Sequence, residues 1–288
     1  MSITSISFFA ALRLSVRLLV VLFFATASFA IPAASANQTF SLSIVPQFSP
    51  INIGLRWTPL LQRLEAETGY GFQLRLVDKI PRFETDFLTN APDLLYLNPY
   101  HMIMAAKAHQ YIPLIRGSEP LAGILVVDVN SPVKNLQDLN GKQFAFPAPN
   151  AFGASLYLRA LLSEKEKIDV QANYVGTHQN VYRHVAIGDA VAGGGIEATL
   201  EKEPLNLRKR LRVLYTTPGV APHPFAAHPR IPLAVREKIT AAFLKIGQDA
   251  AGQKLLSDVE LSQVIRADYA RDYLPLEKLK LERYTISN

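Results

Sequence analysis

The sequence predicts an α/β protein whose strands and helices alternate around mostly parallel β-sheets. Short apolar or alternating segments, which are typical of strands, recur between longer segments of helical periodicity. The chain has 288 residues, of which 49% are hydrophobic and 19% charged. This composition supplies a packed core and excludes a fibrous or disordered chain. The length allows one large domain or two smaller ones.

Residues 1–36 have the composition of a secretory signal peptide. They contain no Asp or Glu, carry two arginines, and place an apolar run at 18–24 before a series of small residues. Ala34-Ser35-Ala36 is the best cleavage site, and Ala30 marks a second candidate. An uncleaved membrane anchor is the alternative, although the strictly apolar run is shorter than the roughly 20 residues that span a bilayer.

Cysteine content and charge exclude several classes of protein. The chain has no cysteine, which removes disulfide frameworks, cysteine-ligated metals, thiol catalysis and a lipid anchor on cysteine. The net charge of +6 falls to +4 once residues 1–36 are removed. Much of the excess lies in Arg208-Lys209-Arg210 and Arg212, a solvated loop beside a predicted strand. We therefore expect no nucleic-acid partner.

The mature chain should open with a strand at 40–45 and a loop at 46–56. A helix follows, with Thr58 as N-cap, Pro59 at its first position and Gly69 as its stop. Further strands are predicted at 73–77, 94–97, 124–127, 143–146, 172–175 and 211–215. Further helices are predicted after Asn98-Pro99, near 152–162, 178–187 and 196–203, and beyond Pro232, where Gly247 ends a helix.

Polar loops follow four of these strands, at 46–49, 98–101, 149–155 and 176–178. Ligands of open α/β sheets bind beyond the carboxyl ends of strands, and helix N-termini favour anions. In the third loop Asn150 is the expected cap, and Gly153-Ala154-Ser155 lets backbone approach a ligand closely. An ordinary capped helix is the alternative.

Histidines and glycines supply the other candidates. His178 starts a predicted helix, either as a hydrogen-bond donor to an anion or as a surface residue, and His223 lies in a proline-rich turn. The histidines lack a shared metal-ligand spacing, so no metal or cofactor is expected, although a site of His101, His178 and His223 is an alternative. Gly193-Gly194-Gly195 matches no nucleotide motif and indicates close backbone approach. No catalytic motif is present, so we expect no enzyme; catalysis on a related two-lobe fold is an alternative.

The sequence resembles the phosphate/phosphite/phosphonate-type periplasmic solute-binding proteins of ABC transporters. The resemblance spans about 40–225 and lies in Trp57-Thr58-Pro59-Leu60-Leu61-x-x-Leu64-Glu65, Asp93-Leu94-Leu95-Tyr96-Leu97-Asn98-Pro99-Tyr100, Ser131-Pro132-x-x-x-Leu136-x-Asp138-Leu139-x-Gly141-Lys142, and Gly176-Thr177-His178 with Gly188-Asp189. It implies a two-lobe, flytrap-like fold of type II that the chain crosses near Val127 and Thr216. Lobe 1 would hold 37–127 and 217–288, and lobe 2 would hold 128–216.

The resemblance also implies a function. A monomeric periplasmic protein would capture a small oxyanion and deliver it to an ABC permease. A branch of the family senses oxyanions, so presentation of the closed form to a membrane histidine kinase is the alternative. Phosphonate binders carry a Ser-Thr-Ser-Gly run where this chain has Ala151-Phe152-Gly153-Ala154, and His223 replaces an expected acidic residue. Arsenite-sensing members use cysteine, which this chain lacks.

Twelve residues are expected to bind the anion. One lobe would hold it through Asn150, Ser155 and the backbone of Phe152, Gly153, Ala154 and Ser155. His178 and His223 would donate to it. From the other lobe five residues would close over it: Gln47, Tyr96, Asn98, Tyr100 and His101.

Overall fold

Two β-sheets with helices around them organise residues 38–286, the part of the chain that this computed structural model describes. The strands are β1 Thr39–Ile44, β2 Gly71–Arg75, β3 Leu94–Tyr96, β4 Ile112–Gly117, β5 Gly123–Asp128, β6 Gln143–Phe146, β7 Gln171–Tyr174, β8 Ala192–Ile196, β9 Leu211–Thr216, β10 Pro224–Ala227 and β11 Val264–Arg266. The first sheet has the order β11-β4-β10-β3-β1-β2, and the second has the order β7-β6-β8-β5-β9. The predicted signal peptide lies outside the described residues.

The helices mostly follow the strands in sequence. They are α1 Pro50–Thr68, α2 Ile80–Thr85, α3 Pro99–His109, α4 Tyr157–Glu164, α5 His178–Ala186, α6 Glu197–Glu201, α7 Leu205–Arg208, α8 Leu233–Ile246, α9 Ala250–Asp258 and α10 Tyr269–Asp272. Two π-helical turns, Asp86–Asn90 and Phe152–Leu156, follow α2 and precede α4. Three 3₁₀ turns are Leu136–Leu139, Leu274–Leu279 and Leu281–Tyr284. No helix within the described range is long and apolar enough to cross a membrane.

Each sheet mixes parallel and antiparallel pairs. β1 pairs in parallel with β2 and β3, whereas β10 runs antiparallel between β3 and β4. In the second sheet β6 pairs in parallel with β7 and β8, and β5 runs antiparallel between β8 and β9. The α/β class is confirmed, but the expectation of mostly parallel sheets is wrong. No strand was predicted at β4, β8, β10 or β11, and the predicted strands β5 and β9 pair antiparallel because the chain enters and leaves the second sheet through them.

The chain passes between the sheets twice. It leaves the first sheet after Gly117, enters the second at Gly123, and returns between Thr216 and Pro224. The first passage lies upstream of the expected crossing near Val127, because β5 contains Val127 and belongs to the second sheet. We call the first sheet with its helices the first lobe, and residues 123–216 the second lobe.

Helix α1 begins earlier than the sequence analysis expected. Ser49 is its N-cap and accepts a hydrogen bond from the Asn52 amide over 3.4 Å, while Pro59 lies inside the helix. The predicted loop at 46–56 is therefore wrong, because Ser49-Pro50 forms the cap-and-proline pair that had been assigned to Thr58-Pro59. Gly69 ends the helix with φ of 69°, as predicted. The earlier start places Arg56 on the helix.

The glycines of β8 allow the second lobe to pack tightly. A Cβ atom on Gly194 would lie 1.9 Å from the carbonyl oxygen of Ala154, and one on Gly195 would lie 2.3 Å from the Tyr182 hydroxyl. The helical run that starts at Phe152 therefore lies directly on β8. The predicted close backbone approach is present, and its partner here is the chain itself.

Candidate functional site

Four polar residues between the lobes bind one another, and we call Glu84, Asn98, His101 and Asn150 the Glu84 network. Asn98 caps α3 by accepting from the His101 amide over 2.8 Å, and its side-chain amide donates to the Asn150 carbonyl over 3.2 Å. Glu84 Oε1 lies 2.9 Å from His101 Nε2 and accepts from Asn150 Nδ2 over 2.9 Å. These contacts tie the end of β3 in the first lobe to the loop after β6 in the second.

Glu84 is the member of this network that the sequence analysis missed. It lies on α2, a six-residue helix without a recognisable start signal beyond Pro81, so no motif pointed to it. Burial raises the pKa of its carboxyl, but the hydrogen bond and charge of His101 and the Asn150 amide outweigh burial and leave that pKa lowered. A carboxylate that accepts from two neighbours is a structural anchor between the lobes.

Two predicted ligand residues, Tyr100 and His101, do not line the cavity that contains His178. The His101 ring is fully buried, with centroids 5.4 Å and 5.7 Å from those of Phe83 and Phe87. Tyr100 lines a separate cavity of about 350 Å³ with Glu84, Asn150 and Thr285. Burial raises the pKa of the Tyr100 hydroxyl.

The start of the helix at Phe152 differs from the expected cap. Its N-cap is Ala151 without a side-chain hydrogen bond; Asn150, the expected cap, donates through its side-chain amide to Glu84 and accepts through Oδ1 from the Ile286 amide. The amides of residues 152–154 are buried and bind no acceptor among residues 38–286. The Ser155 hydroxyl donates to the Pro149 carbonyl over 3.1 Å and accepts from Arg159 Nε over 3.2 Å. This start therefore offers backbone donors, and the Ser155 hydroxyl is already engaged.

A polar cavity of about 190 Å³ opens between the lobes, and we call it the His178 chamber. Its volume equals that of about six waters at ~30 Å³ each. Residues of both lobes line it: Gln47, Phe48, Ser49, Asn52 and Arg56 from the first, and Thr177, His178, Gln179, Thr199, Lys202 and Glu203 from the second. The charged side chains of this lining are two cations and one carboxylate.

His178 stands at the start of α5, which Thr177 caps by accepting from the Asn180 amide over 3.2 Å. Its Nδ1 lies 3.2 Å from Thr199 Oγ1, and that hydroxyl donates to the Ile196 carbonyl at the end of β8. Burial lowers the pKa of the His178 ring to about 4, so the ring is neutral at pH 7. Because the Thr199 hydrogen goes to the Ile196 carbonyl, the neutral ring donates from Nδ1 and leaves Nε2 as an acceptor, which can bind a hydroxyl of a protonated oxyanion.

His223 faces a second cavity, of about 370 Å³, which we call the His223 chamber. The ring lies 5.7 Å from the buried Tyr96 ring, and burial lowers the His223 pKa to about 3. Three carboxylates line this cavity against one cation; they belong to Glu119, Glu201 and Glu260. An anion is repelled by this lining more than by that of the His178 chamber.

An ion pair across the lobes separates the two chambers. Lys202 Nζ of the second lobe lies 2.9 Å from Glu260 Oε1 of the first, and Lys202 lines both cavities. Lys202 Nζ and the Arg56 guanidinium also lie over the Phe48 ring, 5.5 Å and 4.2 Å from its centroid. The sequence analysis missed Arg56, Lys202 and Glu260, since each lies inside a helix or a turn without a motif.

The side chains between the lobes are arranged for ligand binding and not for catalysis. Gln47 and His178 share one chamber, His223 and Tyr96 lie beside the other, and Asn98, His101 and Asn150 hold the lobes together. In residues 38–286 no group of three or more His, Asp or Glu side chains is placed to hold a metal ion. Donors from backbone amides and Arg56 are typical of a site for an anion.

Solved structures share the fold at low sequence identity. A binding-protein component of an ABC phosphonate transporter from Pseudomonas aeruginosa aligns with a TM-score of 0.74 and 16% identity, over 86% of this chain and 88% of that one. PhnD1 from Prochlorococcus marinus, solved with methylphosphonate, aligns with a TM-score of 0.76 and 16% identity, over 86% and 99%. A Xanthomonas citri protein bound to chloride aligns with a TM-score of 0.71 and 15% identity, over 85% and 98%.

These likenesses confirm the two-lobe fold of type II periplasmic binding proteins. The family model described as the periplasmic substrate-binding protein of ABC phosphonate transporters matches residues 42–273, most of the chain. The chain thus belongs to the family of periplasmic substrate-binding proteins of ABC phosphonate transporters, which bind a transported substrate and are not enzymes.

Proposed function

We propose that this protein captures a small oxyanion of the phosphate, phosphite or phosphonate type between its lobes and delivers it to an ABC permease. The observation that carries the proposal is the His178 chamber, a polar cavity lined by both lobes in which two cations outnumber one carboxylate. Family membership supports an anionic transport substrate and a permease as the partner.

The donors on the second-lobe side favour an oxyanion. His178 Nδ1 is held by Thr199, and Thr199 is anchored to the end of β8. The Ile196 side chain at that strand end approaches Gly153, where a Cβ atom would lie 3.1 Å from Ile196 Cγ2. The unpartnered amides of residues 152–154 thus lie near the same strand end as His178, and helix N-termini stabilise negative charge.

Ligand capture between two lobes provides the signal for delivery. An oxyanion that contacts Gln47 and Arg56 on one side and His178 on the other binds the closed form more tightly than the open form. The closed form then gains population in proportion to that difference in affinity, and a permease can distinguish it from the open form.

Calorimetry tests the oxyanion proposal directly. The mature chain, unfolded and refolded to remove bound ligand, is titrated with phosphate, phosphite, methylphosphonate, sulfate and arsenate at pH 7. We expect saturable binding of at least one phosphorus oxyanion, with a rise in unfolding temperature that follows its concentration. If none of the five anions gives heat or raises the unfolding temperature, the proposal is wrong.

A further inference from the structure

Arg56 is an arginine of the first lobe whose donors are largely unused. It lies on α1 and lines the His178 chamber, and its NH1 donates to the Asp258 carbonyl over 3.3 Å. A guanidinium has five N–H donors. No carboxylate within residues 38–286 lies in ion-pair distance of this one, whereas Arg63 and Arg75 are both paired.

The Phe48 ring fixes the orientation of this guanidinium. Arg56 Cζ lies 4.2 Å from the ring centroid, a distance typical of a cation over an aromatic face. A stacked guanidinium keeps its N–H groups at its edge, where they can bind an anion with two parallel hydrogen bonds. The helix start at Ser49 makes this placement possible, because it puts Asn52 and Arg56 one turn apart on α1.

The opposite wall of the chamber presents a neutral acceptor, because His178 donates from Nδ1 to Thr199. His178 Nε2 has no hydrogen-bond partner among the described residues, and its ring is uncharged at pH 7 because burial lowers its pKa to about 4. Lys202, the other cation of the chamber, is neutralised by Glu260 at 2.9 Å. The Glu203 carboxylate of the lining accepts from Gln179 Nε2 over 3.4 Å. Arg56 is therefore the cation of this chamber whose charge is available to a ligand.

We infer that Arg56 is the charged ligand-binding residue of the first lobe and holds two oxygens of the oxyanion through its guanidinium edge. The inference rests on the proposed function and adds to it a residue outside the twelve that the sequence predicted. It also gives the first lobe a charge-based contact, so that closure brings Arg56 and His178 onto the same anion.

The experiment uses three variants and two anions. Arg56→Gln removes the charge, Arg56→Lys keeps the charge without the planar fork, and Arg82→Gln is the control, since Arg82 is 70% exposed and pairs with Asp78 away from the chamber. Dissociation constants for phosphate and methylphosphonate are measured by calorimetry at low and high salt. We expect Arg56→Gln to weaken binding roughly 10- to 100-fold and Arg56→Lys to recover part of that loss.

Salt dependence separates a charge contact from a structural one. Loss of Arg56 should flatten the decrease of affinity with salt, because one charge pair with the anion is gone. Binding by Arg56→Gln within twofold of the wild type, or weaker binding with the salt dependence of the wild type, overturns the inference and leaves the oxyanion proposal intact. Absence of binding by the wild type refutes both.

Discussion

The Glu84 network and the His178 chamber both consist of polar residues that connect the two lobes, but the network brings residues of both lobes onto one carboxylate, whereas the chamber keeps a cavity of about 190 Å³ between them. In the network, Glu84 Oε1 binds both His101 and Asn150 at 2.9 Å. In the chamber, Arg56 makes one hydrogen bond at 3.3 Å and His178 Nε2 makes none with a described residue. Direct bonds between the lobes indicate a structural connection, although His101 Nδ1 is buried there without a partner among the described residues, and unused guanidinium donors beside a cavity indicate a place for a ligand.

The histidines show the same contrast. His101 lies against a carboxylate, whereas burial without a bonded carboxylate lowers the pKa of His178 to about 4 and that of His223 to about 3. Desolvation disfavours the charged imidazolium, so the two chamber histidines stay neutral while the unfolded chain takes up protons near pH 6.5. The two chamber histidines therefore lower the free energy of unfolding in acid.

The largest expected effect is a fall in the free energy of unfolding in acid. For a histidine whose folded pKa is lowered, stability is complete above the unfolded pKa near 6.5 and is lost as the pH falls towards the folded value. Each histidine contributes a slope of about 1.4 kcal/mol per pH unit, so the two together should lower the free energy of unfolding by roughly 3 to 4 kcal/mol between pH 7 and pH 5. Urea unfolding at both pH values measures it.

Removal of the two rings should flatten this dependence. The double variant His178→Gln/His223→Gln should lose most of the difference between pH 7 and pH 5, because neither ring then remains to take up a proton on unfolding. An unchanged pH difference in the double variant would contradict the assignment of the acid sensitivity to the chambers.

Loss of the Glu84 charge should mainly affect stability. Glu84→Gln leaves the buried His101 and Asn150 without their shared carboxylate, and we expect the free energy of unfolding to fall by about 2 to 3 kcal/mol. Urea unfolding at pH 7 measures the loss, with Glu119→Gln as the control, because that exposed residue should change stability by less than about 0.5 kcal/mol. Unchanged stability together with a large loss of anion affinity would place Glu84 in the ligand site instead.

Truncation of His178 should mainly affect binding. His178→Ala removes the Nε2 acceptor from the chamber, and we expect the affinity for phosphate or methylphosphonate to fall roughly 10-fold or more. Tyr100→Phe, in the separate cavity of about 350 Å³, should leave the affinity within twofold. Calorimetry compares the two. Equal losses in both variants would mean that the ligand extends through the network to Tyr100.

Much of the fold follows from sequence patterns, and the exceptions have physical causes. The strand at 143–146 and the helix start at Asn98-Pro99 lie where the pattern predicted them, because apolar runs and cap-and-proline pairs are local signals. β10, Pro224–Ala227, was assigned to a proline-rich turn, because its strand state depends on pairing with β3 and β4. The start of α1 was predicted at Thr58-Pro59, because that pair and Ser49-Pro50 carry the same cap-and-proline signal.

Sequence patterns located the candidate site less completely than the fold. His178 and Gln47 lie in one chamber as expected from strand ends, but the partners that decide their chemistry lie far away in the chain. Glu84 is 66 residues from Asn150, and Lys202 is 58 residues from Glu260. No local pattern encodes such pairs. Their identity depends on how the two lobes meet.

The smallest expected effect is a gain in anion affinity, whereas the other variants lose affinity or stability. Glu260→Gln removes the carboxylate that neutralises Lys202, so the His178 chamber gains an available positive charge. At an effective dielectric typical of a partly exposed site, such a charge should raise the anion affinity roughly two- to fivefold at low salt, with stability changed by less than about 1 kcal/mol. Calorimetry with phosphate at low and high salt measures it, and Glu119→Gln serves as the matched control in the His223 chamber. A fall in affinity would mean that the ion pair between Lys202 and Glu260 holds the closed lobes together, as the Glu84 network does. Lys202 would then be a structural residue although it lines the chamber.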